Sequence, residues 1–244
     1  MAFSHGTPNS IVTDGLVFCV DPANVLSYPR TGATVTDIVG DTTGTLSGAG
    51  GGNNTPQWEN TNGGIFDFDG TDDYIDMGTN LFTSNPIPII SISTWIKTSN
   101  TSAQVVVSKD GGSGLKDFQM QISGEDFYWQ TSVNGTGYSN LQLTNSEFDL
   151  LDDQWHNIIV TSHAGPSSGD GEKKIYVDGQ LQKTDSSATI NNIFNTTGQE
   201  INIGRKGDVS RHWNGKISLV QIYNSSLSAS EVAQNYNALK NRFI

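Results

Sequence analysis

The sequence predicts an all-β protein, an antiparallel β-sandwich with one C-terminal α-helix. Short runs with β-strand alternation recur along the chain, and Gly, Asn and Asp clusters separate them. The composition suits short strands joined by turns, since 34% of the residues are hydrophobic and only 16% are charged. A helical pattern occurs near the C-terminal end, and its absence between the strand runs favours an antiparallel sandwich.

The N-terminal part begins with a small, polar segment. Residues 1–13 are predicted to form an arm that packs on another surface or stays mobile, and residues 14–244 are predicted to form one domain. The run "GLVFCVD" predicts the first strand. Residues 40–64 are dominated by turn formers with Leu46 and Trp58 as the main anchors, which predicts a loop with one short strand.

A series of strands follows. They are predicted at "GIFDFDG", "ISISTWIKT", "AQVVVSK", "FQMQIS", "FYWQTSV", "HNIIVTS", "KKIYVDG", "EINIG" and "KISLVQIY". Apolar residues on both faces of "HNIIVTS" predict a central strand. Asp178 and Gly179 predict a two-residue hairpin turn with positive φ at both centres, which pairs "KIYV" with "QLQK".

The C-terminal helix has its own start signal. Ser228 and Glu231 have the spacing of a capping box, and Leu227 and Val232 have that of a hydrophobic staple. Apolar residues continue at helical spacing to Phe243. We expect this helix to close the domain.

Charge and cysteine content exclude several classes of function. The formal net charge is −12, which repels a phosphate backbone or an anionic membrane, so neither nucleic acid nor a membrane is an expected partner. The only cysteine, Cys19, excludes an intramolecular disulfide and a cysteine metal cluster, and its apolar neighbours predict a buried thiol. The N-terminal apolar stretch is too short for a signal sequence or a membrane span.

Catalytic motifs are sparse. A glycoside hydrolase needs two facing carboxyl groups, and the six glutamates are scattered singly. Asp67 and Asp69 alternate on one strand and remain a candidate pair, although turn aspartates are common. The four histidines have no metal-binding spacing. Trp155 and His156, at the start of an apolar strand, are predicted to be a packed cap of that strand.

Two sets of residues are candidate binding sites. Asp69 and Asp72 lie in the acidic turn "DFDGTDDYID", whose carboxylates are the hard oxygen ligands that calcium selects. Trp129, Tyr138 and Trp213 lie in or beside stretches rich in Asn, Gln and Gly, where rings and amides together suit a sugar. The alternative for each ring is packing in the core.

Six runs of the chain resemble one family. "FDGTDDYIDMG", "ISISTWIKT", "DDQWHNIIVT", "KKIYVDGQ", "INIGR" and "WNGKISLVQIYNSSLSASEV" resemble, in order, the laminin-G-like jelly rolls of the concanavalin A-like lectin/glucanase superfamily. The resemblance implies a jelly roll in which the Trp-His pair is structural. Where many members have an Asp-Glu pair in the last strand, this chain has Ser218 and Leu219, which weakens a calcium site that needs that pair.

A second resemblance concerns residues 14–41. "DGLVFCVDPANVLSYPRTGATVTDIVGD" is similar to the start of jelly-roll modules in virion proteins of tailed bacteriophages. It implies a non-catalytic structural protein on the virion surface, as a capsid decoration or fibre part, that contacts other virion proteins such as the major capsid protein. Host-surface glycans are further expected partners, and a homo-oligomer, a trimer, is the expected assembly. The alternatives are a carbohydrate-binding lectin and a glycoside hydrolase that uses Asp67 and Asp69.

Overall fold

Two antiparallel β-sheets face each other across one main core. The computed structural model describes residues 10–40, 42–49, 55–79, 81–82, 86–111, 115–164, 171–186, 192–193, 195–208 and 210–244. The strands are β1 (Leu16–Val20), β2 (Thr34–Thr36), β3 (Thr43–Ser47), β4 (Gln57–Glu59), β5 (Ile65–Asp69), β6 (Tyr74–Asp76), β7 (Ile89–Lys97), β8 (Gln104–Asp110), β9 (Lys116–Ser123), β10 (Asp126–Thr131), β11 (Ser139–Leu143), β12 (His156–His163), β13 (Glu172–Val177), β14 (Gln180–Asp185), β15 (Ile201–Ile203) and β16 (Asn214–Tyr223). The chain ends with helix α1 (Ala229–Leu239) and a 3-10 turn (Lys240–Arg242).

The order of the strands confirms the predicted sandwich. One sheet has the order β14-β13-β12-β7-β16-β5-β4, with β1 also paired to β16. The other has the order β11-β10-β9-β8-β15-β6-β3-β2. Both β12 and β7 have neighbours on each side, so the predicted central strand "HNIIVTS" is confirmed. Apolar side chains of the two inner faces form one continuous cluster, in which burial is nearly complete.

Several local predictions are confirmed. Asp178 and Gly179 have φ values of 51° and 77° and join β13 to β14. The Ser228 side chain accepts a hydrogen bond from the Glu231 amide, and the Glu231 side chain accepts one from the Ser228 amide, so the capping box is formed. Cys19 is buried.

The prediction for residues 40–64 was wrong by one strand. The stretch contains β3 and β4, because Leu46 pairs with Ile75 and Trp58 pairs with Phe66. Strands β2, β6 and β11 were also missed. These strands are only three to five residues long and are polar on one side, so local alternation carries little signal.

The described part of the N-terminal segment packs on its own domain. The amide of Val12 donates to Asn235 Oδ1 of α1 at 2.7 Å, and the Tyr223 hydroxyl donates to the Val12 carbonyl at 3.2 Å. The side chain of Val12 is buried beside Tyr223 and Val232. Gln234 Nε2 also donates to the Ser10 carbonyl at 2.9 Å, so the described part of the predicted arm contacts the domain at Ser10 as well as at Val12. Residues 1–9 of the arm lie outside the described residues.

The helix covers the outer face of the first sheet. Trp95 of β7 stacks on Tyr236 and Phe243, with ring centroids 5.8 and 4.2 Å away. The apolar spacing that predicted the helix therefore reaches past its end to Phe243, which follows the 3-10 turn. Among the residues that the structure describes, no helix has both the length and the apolar character needed to cross a membrane.

Candidate functional site

Two of the three predicted sugar platforms lie inside the core. Trp129 and Trp213 are both 0% exposed. The indole nitrogen of Trp129 donates to the Thr161 carbonyl across the sandwich at 3.1 Å. Neither ring presents a face to solvent, so the prediction that these two rings stack on a sugar was wrong, and the alternative of core packing is confirmed for both.

The third ring, Tyr138, lies at the edge of a polar groove on the outer face of the second sheet. The groove has a volume of about 320 Å³. It is open to solvent on one side. Its lining residues come from β9, β10, β11 and the connections around them: Lys116, Gln119, Gln121, Ser123, Tyr128, Gln130, Tyr138, Asn140, Lys206 and Arg211.

The floor of the groove follows from the alternation of β9. Phe118, Met120 and Ile122 point into the core, so Gln119 and Gln121 point to the opposite face. Neighbouring side chains cover both glutamines, which are only 1% and 4% exposed. The groove therefore has a packed polar floor.

Amide groups on three strands are joined by hydrogen bonds. Gln119 Nε2 donates to Gln121 Oε1 at 2.9 Å and also to Gln130 Oε1, and Gln130 Nε2 donates to Asn140 Oδ1 at 2.8 Å. Gln119 Oε1 is buried with no hydrogen-bond partner among the described residues. The chain of bonds fixes the orientation of each amide, which prepares the floor for a ligand rich in hydroxyl groups.

Two tyrosines supply the aromatic surface of the groove. Tyr128, on β10, is half-buried beside the amide floor, and Tyr138 is half-buried with the ammonium of Lys116 5.1 Å from its ring centroid. The hydroxyl of Tyr138 donates to Asp110 Oδ2. Burial and the negative charge of Asp110 raise the pKa of Tyr138 far above its usual value, so its hydroxyl stays protonated at neutral pH.

Three cations stand at the rim. The guanidinium of Arg211 donates to Gln121 Oε1, which ties it to the floor. Lys206 forms an ion pair with Asp208 and lies 3.9 Å from Asp110. Lys116 and Arg211 form no ion pair with any residue that the structure describes. The groove therefore combines neutral amides, two phenol rings and positive charge.

The acidic turn brings Asp69, Asp72 and Asp73 together at a different place. One carboxylate oxygen of each lies within 4.8 Å of those of the other two. Asp73 is 3% exposed, and its Oδ1 has no hydrogen-bond partner among the described residues. Burial, with the charges of Asp69 and Asp72, raises the pKa of Asp73 to about 6. Asp73 adds a third carboxylate to the predicted pair, and three carboxylates suit a hard cation. The spacing in the sequence alone did not single out Asp73.

Other contacts in this turn are those of an ordinary loop. Asp69 Oδ1 accepts a hydrogen bond from the Thr71 amide at 2.7 Å, and Asp72 Oδ2 accepts one from the Ala49 amide at 2.9 Å. These bonds use only part of the carboxylate oxygens.

The candidate hydrolase residue Asp67 is engaged elsewhere. The ammonium of Lys216 lies 2.6 Å from Glu59 and 3.8 Å from Asp67, so it bridges the two carboxylates. Burial raises the pKa of Asp67, whereas the hydrogen bond from Lys216 lowers the pKa of Glu59. Sequence reasoning missed Glu59 because strand pairing between β4 and β5 brings it to Asp67.

Trp155 and His156 form the predicted packed cap. Trp155 packs against Phe243, with ring centroids 4.9 Å apart. His156 is held between two carboxylates, with Nδ1 2.8 Å from Asp178 Oδ2 and Nε2 3.1 Å from Asp152 Oδ1. Burial opposes the charged ring, but the hydrogen bonds and charges of the two aspartates outweigh it and raise the pKa of His156.

The strand alternation contained the missing signal for the groove. "FQMQI" places two glutamines on one face, and "DFYWQT" places Tyr128 and Gln130 together on one face and Trp129 on the other. No such signal exists for Lys206 and Arg211. They lie between β15 and β16, far from β9 and β10 in the sequence, and only the folded structure brings them to the groove.

Comparison with known proteins identifies the fold. A laminin G family model described as Concanavalin A-like lectin/glucanases superfamily matches residues 69–233. No curated protein matches the chain in sequence. The receptor-binding domain of botulinum neurotoxin C/D mosaic serotype is similar in structure, with a TM-score of 0.67, 16% identity and coverage of 92% of this chain and 51% of that chain.

A second solved structure shows the same likeness. The receptor-binding domain of botulinum neurotoxin type G has a TM-score of 0.61 and 14% identity, with coverage of 91% of this chain and 51% of that chain. This chain thus spans about half the length of the solved structures it matches. At these identities the likeness concerns the fold alone. With two thirds of its residues matched by the family model, the chain belongs to the concanavalin A-like lectin/glucanase superfamily.

Proposed function

We propose that this chain is a non-catalytic carbohydrate-binding module that binds saccharides in the groove on β9, β10 and β11. The observation that carries the proposal is the combination of a fixed amide floor with two half-buried phenol rings. Saccharide hydroxyl groups both donate and accept hydrogen bonds, as side-chain amides do, and the apolar face of a sugar ring packs on an aromatic ring. The groove offers both kinds of contact within one surface.

The chemistry around the groove supports binding rather than turnover. Its lining residues include no carboxylate among the described residues. Asp110, beside the groove, already accepts the hydroxyl proton of Tyr138 in a hydrogen bond. A glycosidase needs one carboxyl as acid and a second as base or nucleophile. The alternative of a hydrolase using Asp67 and Asp69 has weaker support, because Asp67 is bridged to Glu59 by Lys216.

The solved relatives supply only a starting set of sugars to test. Two of them are botulinum neurotoxin binding domains in complex with sialylT and with N-acetylneuraminic acid. Their sugars are not transferred to this chain, which is 15% identical to each and spans about half of each.

A glycan array tests the proposal, with matched tyrosine variants. Tyr128→Ala removes a ring of the groove, and Tyr74→Ala removes a half-buried ring of β6, four strands and about 19 Å away in the same sheet. We expect wild type and Tyr74→Ala to bind the same glycans and Tyr128→Ala to bind them about tenfold more weakly. Equal loss in both folded variants, or no glycan binding by wild type, would argue against a saccharide site in this groove.

We propose, second, that the module is displayed on the surface of a bacteriophage virion as a decoration or fibre part and assembles as a trimer. The resemblance of residues 14–41 to virion modules supports this. In the fold this segment contacts the C-terminal 3-10 turn and β4, because Arg242 forms an ion pair with Asp21 at 3.2 Å and Trp58 Nε1 donates to the Pro22 carbonyl. These contacts give Asp21 and Pro22 a structural role within the domain.

A pull-down on undecorated capsids of tailed phages tests the virion proposal separately from the lectin proposal. We expect wild type and Tyr128→Ala to bind capsids equally well, because a surface other than the groove would attach the module to the particle. Light scattering should give the mass of a trimer. A monomer at high concentration, with no capsid binding, would overturn this second proposal while leaving the glycan proposal standing.

We propose, third, that Asp69, Asp72 and Asp73 hold a calcium ion that stabilises the turn. The buried, unpaired Oδ1 of Asp73 supports this, since an uncompensated buried carboxylate is costly and a divalent cation relieves the cost. The Asp-Glu pair of other members is replaced here, and Ser218 instead accepts a hydrogen bond from Arg242 at 3.3 Å. The proposed ion therefore depends on the turn carboxylates alone among the side chains described.

A further inference from the structure

We infer that the groove selects an acidic saccharide, whose carboxylate or sulfate group binds at the rim formed by Lys116 and Arg211. The inference rests on the proposed saccharide function and names the class of sugar. It is drawn from three features of the groove: the number of basic residues, the lack of an ion-pair partner for Lys116 and Arg211 among the described residues, and the backbone geometry of Arg211.

The first feature is a local reversal of charge. The chain has 25 acidic and only 13 basic residues, yet three of those basic residues line this one groove: Lys116, Lys206 and Arg211. Asp208 and Asp110 lie beside Lys206, so the charge that stays unbalanced at the rim is that of Lys116 and Arg211. In an acidic protein, a positive groove attracts and retains anionic ligands selectively.

The second feature is whether each cation has a carboxylate partner. Lys206 is neutralised by Asp208 and lies near Asp110. The ammonium of Lys116 rests near the Tyr138 ring, and the guanidinium of Arg211 donates to the neutral amide oxygen of Gln121. On the opposite sheet Lys174 and Lys183 each have a carboxylate partner. The rim thus presents two cations whose charge no described carboxylate balances within ion-pair distance.

The third feature is the strained backbone of Arg211. Its φ is 56°, in the left-handed region that a residue with a long side chain rarely occupies. Its carbonyl accepts a hydrogen bond from the Val105 amide at 3.0 Å, and the bond from Lys206 to the Ser210 carbonyl closes the hairpin before it. These bonds hold the strained conformation, and the guanidinium is tied to the groove floor. The position of this cation is therefore fixed before a ligand binds.

Together these features define the order of contacts along the groove. A guanidinium binds a carboxylate or sulfate through two parallel hydrogen bonds, and the ammonium of Lys116 adds a second charged donor. Next to them, Asn140, the exposed end of the amide chain, faces the hydroxyl groups of the sugar ring. The phenol rings provide its apolar contact surface. A neutral sugar would leave the two rim cations without an anionic partner.

A paired glycan array is the first test. It contains galacturonate, mannuronate, sialylated and sulfated galactose oligosaccharides, each beside its neutral counterpart: the methyl ester, or the unsulfated or asialo sugar. We expect acidic members to bind at least tenfold more tightly than their counterparts. The carboxylated and sulfated arms identify which anion is preferred. Equal or tighter binding of the neutral members would overturn the inference but keep the saccharide function, whereas no binding to any member would overturn both.

Charge variants provide the second test on the acidic glycan that binds best. Arg211→Gln and Lys116→Gln should each weaken binding at least fivefold, and Arg211→Lys should recover part of the loss. Lys174→Gln, on the other sheet, is the matched control and should bind like wild type. Raising NaCl from 50 to 300 mM should weaken wild-type binding severalfold and Arg211→Gln binding less. An unchanged affinity in both rim variants, with unfolding curves like wild type, would refute the assigned position of the anion.

Discussion

Lys173 gives the sharpest stability prediction because it is a charged side chain with no exposure to solvent. It lies on β13, is 0% exposed, and its Nζ donates to the Ser139 carbonyl of β11 at 2.7 Å. Burial, partly offset by the charge of Asp185, lowers the pKa of Lys173 from 10.5 to about 8. That difference corresponds to about 3 kcal/mol of destabilisation at neutral pH, at 1.36 kcal/mol per pKa unit.

Lys173→Met removes this cost. Methionine has a similar length and no charge, and the variant loses one hydrogen bond, worth about 1 kcal/mol. We therefore expect Lys173→Met to raise the free energy of unfolding at pH 7 by about 2 kcal/mol. In wild type the unfolded state binds more protons than the folded state between pH 8 and 10.5, so the stability that burial removes returns over that range. The advantage of the variant should therefore shrink toward pH 10.

Urea unfolding at pH 7 and pH 10 measures both effects. Lys174→Met serves as the control, since Lys174 is its sequence neighbour but is partly exposed and paired with Glu172. It should change stability by less than about 0.5 kcal/mol. The reasoning would be refuted if Lys173→Met destabilised the protein at pH 7, or if its difference from wild type were the same at both pH values.

The remaining predictions concern a histidine, the acidic turn and two glycines. The pKa of His156 is raised, so the stabilisation by its charged ring is fully present below about pH 6.5 and is lost as the pH rises through the folded-state pKa. His156→Gln should therefore lower the free energy of unfolding more at pH 5.5 than at pH 8.5. Equal losses at the two pH values in urea unfolding would contradict this. Calcium added after EDTA treatment should raise the Tm of wild type but not of Asp73→Asn, as measured by differential scanning fluorimetry; an unchanged wild-type Tm would exclude the ion. Gly204→Ala should cost at least about 2 kcal/mol, because a Cβ there would lie 2.4 Å from the Phe68 ring. Gly124→Ala, also at positive φ but with nothing within 4 Å, should cost only about 1 kcal/mol, and equal losses would argue against the close packing at Gly204.

The sequence predicted best where a structure depends on neighbouring residues. The hairpin at Asp178 and Gly179 needs only two residues that accept positive φ, and the helix cap needs only Ser228 and Glu231. Both are formed. Long apolar strands were also predicted, because their residues face the core on one or both sides.

Prediction was weaker where the fold brings distant segments together. "FYW" contains three aromatic residues in succession, so alternation separates Tyr128 from Phe127 and Trp129 but does not say which of the two faces lies toward the core. The pairing of Trp129 with Leu141 and Met120, both in the core, decides that Trp129 is buried and Tyr128 exposed to the groove. Arg211 reaches Gln121 across 90 positions of sequence, which no local pattern contains.

The position of a bound sugar tests the central claim most directly. A crystal structure of the protein with the glycan that binds best on the array is expected to show a sugar ring against Tyr128, with its hydroxyl groups bonded to the amides of the floor. Its acidic group should lie about 3 Å from a nitrogen of Arg211 or Lys116. A sugar bound at another surface, with no sugar in the groove, would contradict the proposed saccharide site.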